Sequence, residues 1–426
     1  MDRPNGTAPQ RVQLAEQGVR GSAPATPSMC GRWRTARPII SAALIAACLG
    51  CDGAAADGEA EAPPVSWLLQ HDPSTQHDCV TALALDGDDL VVAGADGTAQ
   101  EADPGDLSWR IERVGLDLGR VWERYENPSP RDDRVASVAL AGDALYVASH
   151  EATAVSGDVE WRIERRDAVD DDPVWSERFS SADDREHPAD LVLDGTGLYA
   201  VGYAQPMRFD RWRIEKRRLD DGALIWTWEA SHEEFDNHPN GVAVSGARVF
   251  VGGTDRDRDS QDGSWRVQAH DTATGALAWE QTSNPSSRYD QLTDVAAFEG
   301  TVLSIGTEHR ETRSVWRIER RDALDGAFEW AVTGVDGIPR AVVMDERGIF
   351  VVGHERFDPR SVTALWRVER RDPTDGALLW SDVMQDPEHG SSEATAAALD
   401  ARGLIIGGWD TAFGEQRSWR VERRDL

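Results

Sequence analysis

The pentapeptide Trp-Arg-Ile/Val-Glu-Arg/Lys begins at Trp109, Trp161, Trp212, Trp316, Trp366 and Trp419, and a degenerate copy, Trp-Arg-Val-Gln-Ala, begins at Trp265. The intervals are 52, 51, 53, 51, 50 and 53 residues. So regular a period means that one supersecondary unit is built repeatedly, which excludes any fold that cannot be assembled from such units. A second tryptophan follows each of the first six copies by 13 or 14 residues, at Trp122, Trp175, Trp226, Trp279, Trp330 and Trp380. The two series hold 13 of the 17 Trp in a chain with only 5 Tyr and 9 Phe, so the Trp excess reads as a packing rule.

Each repeat also carries an apolar run, a Gly or Asp turn and a second apolar run, as in Leu83 to Gly94. Its counterparts are Val138 to Ser149, Leu191 to Gly202, Val242 to Gly253, Val295 to Gly306, Val342 to Gly353 and Ala397 to Gly408. Short apolar runs bounded by such residues are hairpin strands. With the pentapeptide strand and a strand ending at the second Trp, each repeat supplies four strands, and no helical period intervenes. Four-stranded units in tandem predict an all-β fold, a β-propeller over residues 64–426. Pro63 to Trp67, ahead of the first hairpin, supplies the fourth strand that the last repeat lacks, and Trp67 becomes the seventh member of the second series. The expectation is seven blades, with the ring closed by the N-terminal strand pairing in the last blade. Closure removes exposed edges, whereas an open solenoid would carry distinct caps.

Asp271 to Trp279 and Asp372 to Trp380 resemble the tryptophan-docking motif of quinoprotein-like propellers, Asp-x-x-Thr-Gly-x-x-x-Trp, and Asp322 to Trp330 is similar. Arg218 and Gly115 replace the Asp before Trp226 and Trp122. The resemblance implies that Asp and Gly shape the turn between third and fourth strands and that the Trp packs between blades. Its dehydrogenases have eight blades and an adjacent Cys pair beside the cofactor, neither of which this sequence offers.

In a strand, Trp109 and Ile111 point one way and Arg110 and Glu112 the other. Copied around a ring, the Arg and Glu are expected to form ion pairs between blades. The variable segments, 96–106, 151–160, 255–264, 308–314, 355–364 and 410–418, fall on one face, the expected binding surface. The starts of the innermost strands contribute Thr81, Asp190, Asn240, Asp294, Arg340 and Thr395 to the mouth of a central channel, a candidate binding ring. Asp255, Asp257 and Asp259 alternate as carboxylates do in calcium loops, but Ser260 stands where the Gly belongs and Arg266 where the bidentate Glu belongs. His71, His77, His150, His187, His232, His238, His309, His354 and His389 are spread over the same face without metal-ligand spacing. No nucleophile elbow, phosphate loop or dinucleotide fingerprint occurs.

The N-terminus reads as an address. Met29 is a candidate start, followed by Arg32, Arg34 and Arg37 and an apolar run from Pro38 to Gly50, too short to span a bilayer and typical of an export signal. Ile45-Ala-Ala-Cys48 resembles a bacterial lipobox, and Cys51 is the alternative acceptor; an ordinary signal cut near Ala55 is the other reading. Residues 1–51 are thus leader and signal, and the small polar residues 52–63 a flexible tether. Cys79 alone remains in the folded part and reads as a small core residue. A formal charge of -31 argues against nucleic acid. The chain is expected to be a monomeric, non-catalytic envelope lipoprotein without a cofactor, touching membrane only through its lipid and binding a protein or glycan through its loop face. The alternatives are a quinoprotein-type dehydrogenase and a calcium-dependent ligand-binding propeller.

Overall fold

The computed structural model describes residues 60–71, 77–97, 108–116, 119–129, 133–152, 159–180, 186–204, 210–230, 235–257, 262–356, 363–384, 390–411 and 416–426. Met29, Cys48 and Cys51 lie outside the described residues, as does most of the variable loop sequence. The described residues form 27 strands and no helix. Five antiparallel sheets have four strands and one has seven. In the seven-stranded sheet the continuous strand Phe328–Asp345 pairs through its first half with Arg313–Asp322 and through its second half with Gly348–Arg356, so it serves two consecutive repeats.

Each repeat starts with an innermost strand: Cys79–Asp86, Arg134–Ala141, Glu186–Asp194, Phe235–Ser245, Gln291–Phe298, the second half of Phe328–Asp345, and Ser392–Leu399. These strands touch one another in chain order, and Ser392–Leu399 also touches Cys79–Asp86. The second strands are buried on both faces, which is why they read as unbroken apolar runs such as Leu90-Val-Val-Ala93. Outer strands alternate, as Arg120–Glu126 does between half-buried and exposed. The sheet containing the last repeat takes its fourth strand from Val65–His71, which pairs antiparallel with Ser418–Asp425.

The seven first-series tryptophans are buried and, with the following Ile or Val, pack on the next repeat: Trp109 and Ile111 sit among Val135, Val138, Leu145 and Val147. The second series makes a lock at the next repeat's turn. Trp122, Trp175, Trp226 and Trp279 donate their indole N–H to the carbonyls of Ala168, Leu219, Thr272 and Ala323 at 2.8, 3.2, 3.2 and 3.1 Å. Gly275 of that turn has φ +72°, and a Cβ there would fall 2.7 Å from the Trp226 ring, so glycine satisfies the backbone and the contact together.

The Arg and Glu of the pentapeptide pair chiefly within their own repeat, not between repeats as expected; Arg162 with Glu126 at 4.0 Å and His71 with Glu112 at 3.4 Å are contacts that do cross. Residues i, i+2 and i+4 of one strand share a face, and the buried Glu is gripped from both sides within its own strand. Glu319 accepts from Arg317 at 2.8 Å and Arg321 at 3.0 Å; Glu369 accepts from Arg367 and Arg371, both at 2.7 Å. Only some second arginines also cross to the preceding repeat, as in Arg166 to Glu126 at 2.6 Å and Arg424 to Asp382 at 2.7 Å. The face nevertheless belongs to the joint, since Arg266 stacks 4.2 Å from the Trp212 ring of the preceding repeat.

Candidate functional site

All seven innermost strands are interrupted at the same register by a β-bulge. The extra residues are Thr81, Ala136, Ala189, Asn240, Thr293, Arg340 and Thr395. A bulge re-aims a side chain and breaks the local pairing. Opposite the residue before it stands Gly94, Gly202, Gly253, Gly306, Gly353 or Gly408, where a Cβ would lie 2.0–2.3 Å from a carbonyl oxygen of the bulged strand. Ser149 holds that place in the second repeat. In six of the seven repeats the glycine that closes the apolar run therefore gives the bulged strand its close approach.

The bulged residues line a cavity of about 370 Å³ on which all six sequence-predicted residues, Thr81, Asp190, Asn240, Asp294, Arg340 and Thr395, converge. Four bulged side chains reach a backbone carbonyl of the next repeat: Thr81 Oγ1 donates to Val135 O at 2.8 Å, Asn240 Nδ2 to Leu292 O at 2.6 Å, Thr293 Oγ1 to Pro339 O at 2.8 Å, and Thr395 Oγ1 to Val80 O at 2.5 Å. Asp190 and Asp294 are not in this layer, contrary to the reading that placed all six together. They stand one residue beyond the bulge, where the structural counterparts of Thr81 are Ala189 and Thr293. Ser137 and Thr293, absent from the sequence prediction, also line the cavity; aligning the hairpins on their closing glycines would have found Thr293, whereas Ser149 stands in that place in the hairpin of Ser137.

Below the bulged layer the two carboxylates bridge repeats. Asp190 accepts from Ser137 Oγ at 2.7 Å and the amides of Leu191 at 2.8 Å and Val242 at 3.0 Å. Asp294 accepts from the amides of Val295 at 2.7 Å and Val342 at 2.9 Å. Burial pushes the Asp190 carboxyl up to about 6 against these bonds. Burial, then the charge of Asp190, raises Asp294 well above the carboxylate range. Deeper in, Val138, Leu191, Val242, Val295 and Val342 form an apolar floor.

At the mouth, Glu393 accepts from Arg340 Nε at 2.6 Å and Trp409 Nε1 at 3.3 Å and contacts His354 Nδ1 at 2.7 Å. Burial alone would raise this carboxyl; the His354 hydrogen bond and the Arg340 charge outweigh it and hold it at about 2. The Arg340 guanidinium is thereby oriented by its Nε, and Arg340 is one of the residues that line the cavity. On the same face a row of rings crosses three repeats, with centroids 4.9 Å apart for His150 and His187, 4.9 Å for His187 and Tyr203, and 4.6 Å for Tyr203 and His238. His238 Nε2 meets Asp210 at 2.6 Å, and burial, then the neighbouring His187, lowers His150 to about 3. These histidines are assembled, not scattered. His232 and His389 lie outside the described residues.

Among the described residues no group of three or more His, Cys, Asp or Glu could hold a metal ion. Of the calcium-loop candidates, Asp255 pairs with Arg266 at 2.7 Å, while the Asp257 side chain and Asp259 lie outside what is described. Cys79 is half-buried at the start of its strand, and burial pushes its thiol up.

No protein-family model and no curated protein matches the sequence. Among solved structures the chain is similar to the β-propeller domain of Cps50 (Swd1) from Myceliophthora thermophila, at 12% identity and TM-score 0.50 over 85% of this chain and 99% of that one. Sqt1 from Chaetomium thermophilum, bound to the N-terminus of the ribosomal protein L10, gives 13% identity and TM-score 0.50 over 84% and 98%. A europium-containing methanol dehydrogenase gives 9% and 0.50 over 85% and 80%. The fold is that of a β-propeller.

Proposed function

We propose that the chain is a closed propeller of seven blades acting as an exported, lipid-anchored, non-catalytic scaffold, and that it binds a basic segment of a protein partner at the channel mouth. Closure is supported by the contact between the last and first innermost strands, by the Thr395 bond to Val80 O, and by the placement of Val65–His71 in the last sheet. The observation that carries the binding reading is the cavity: its lining holds two carboxyls, Asp190 and Asp294, and one arginine, Arg340, whose charge is offset by Glu393. In a chain of -31 such a mouth steers cationic segments and repels anionic ones. Sqt1 holds a protein segment on the same fold.

The dehydrogenase reading would require a quinone with a calcium ion. The described residues do not fit that group, because the two channel carboxylates already accept backbone amides from the next repeat and no third metal-ligating group stands with them.

The test is site-specific photocrosslinking in cells. A photoreactive residue at position 240 should trap a discrete protein, and raised salt should weaken the trapping; one at Thr374, on the opposite face, should trap none. Equal yields at both sites, or trapping at neither, would overturn the scaffold reading. Dye reduction by purified protein given pyrroloquinoline quinone and calcium would replace it with the enzyme.

A further inference from the structure

The way the chain enters the propeller fixes which face a lipid anchor would draw toward a bilayer. Ala60 N donates to Leu379 O at 2.9 Å, at the start of the outer strand Leu378–Val383. Pro63 O accepts from Arg424 Nη1 at 3.1 Å, and Val65 stands opposite Arg424, near the end of Ser418–Asp425. Outer strands start, and third strands end, at the turn between them. The chain therefore enters on the turn face, opposite the channel mouth.

The reach of the tether is short. Eight residues, 52–59, separate Cys51 from Ala60, and eleven, 49–59, separate Cys48 from it. Fully stretched, nine steps cover at most about 32 Å and twelve about 43 Å. Strands of 8 to 10 residues, such as Cys79–Asp86 and Thr301–Arg310, are themselves about 26 to 33 Å long from face to face. Turning the mouth toward the bilayer would consume most of the stretched tether; turning the other face toward it consumes little.

That face has a matching surface. The outer strands begin with exposed apolar side chains, Val121, Val174, Leu277 and Phe328 at 54, 50, 45 and 54%, and Leu324 on a turn is 78% exposed. Exposed carboxylates at Asp170, Asp325 and Asp375 lie on the same turns, and Asp220 there pairs with Arg218. Apolar side chains favour the interface, and the carboxylates exclude anionic headgroups.

We infer that the turn face rests against a lipid surface of zwitterionic headgroups, so that the channel mouth is presented away from the membrane. This inference rests on the lipid anchor proposed above. The experiment uses the full chain, lipidated in the cell and reconstituted into phosphatidylcholine vesicles carrying a nitroxide-labelled lipid. A fluorophore is attached at Leu324→Cys on the turn face or at Glu311→Cys on the mouth face. Cys79→Ser and replacement of whichever of Cys48 and Cys51 carries no lipid leave one reactive thiol. Quenching several-fold stronger at position 324 than at 311, and reduced when anionic lipid is added, is expected. Equal quenching, or stronger quenching at 311, overturns the orientation while leaving the anchor intact. A mass spectrum without a lipid adduct overturns the anchor and this inference with it.

Discussion

The indole of Trp226 lies against Gly275 of the following repeat, and its N–H donates to Thr272 O of the same turn at 3.2 Å. Two requirements meet at that glycine, and a matched pair of variants separates them. Gly87 also has a positive φ, +63°, but a Cβ there meets nothing within 4 Å. Gly87→Ala should cost about 1 kcal/mol of backbone strain. Gly275→Ala adds a collision with a packed ring and should cost roughly 2–4 kcal/mol. Thermal denaturation of the two proteins decides: equal shifts would mean that the docking contact contributes nothing.

Truncating Arg317 tests whether the pentapeptide ion pairs serve stability. Arg317→Ala leaves the buried Glu319 with Arg321 and the Ser283 hydroxyl, which donates at 2.7 Å. Removing one partner of a buried carboxylate costs on the order of 3 kcal/mol. Denaturant melts should show that loss, and crosslinking from position 240 should continue in the folded fraction. Lost crosslinking at an unchanged melting point would instead place Arg317 in recognition.

The anchor has its own test. Cys48→Ser and Cys51→Ser separate the two lipobox candidates, since only the true acceptor carries the modification. One of the two should abolish incorporation of labelled palmitate and release the protein from membranes, and the other should leave both unchanged. Incorporation surviving in the double variant would favour cleavage near Ala55 and a soluble exported protein.

The repeat was legible because its determinants are local in sequence. A Trp that must fill a joint and a Gly that must turn recur at fixed offsets, and each repeat states the same rule again. The channel was legible only to within a residue. A bulge inserts one position into a strand of period two, so counting along the strand put Asp190 and Asp294 in the layer of Asn240. The row His150, His187, Tyr203 and His238 was not legible at all. His187 and His238 share one offset, two residues before the bulge, and His150 and Tyr203 another, one after the residue closing the hairpin, but only lateral packing of the sheets brings the two positions of successive repeats together.

The channel carboxylates give the fold an unusual pH response. A carboxyl whose folded pKa is raised holds its proton in the native state after the unfolded chain has released it, so the contribution is fully present below about pH 4 and is lost as pH rises toward the folded value of about 6. For Asp190 this is a rise of about 2 units, at most about 3 kcal/mol at 1.36 kcal/mol per unit. Its three hydrogen bonds keep the site occupied by a carboxyl despite that cost. Asn is a neutral isostere that does not titrate. Asp190→Asn should therefore gain on the native protein as pH rises from 4 to 7, while at pH 4 it should be equal or less stable because its amide cannot accept every bond the carboxyl accepts. Melting temperatures across that range measure the difference directly. A difference independent of pH would show that Asp190 is ionised throughout, and its charge would then stand below the mouth proposed to receive a cationic partner.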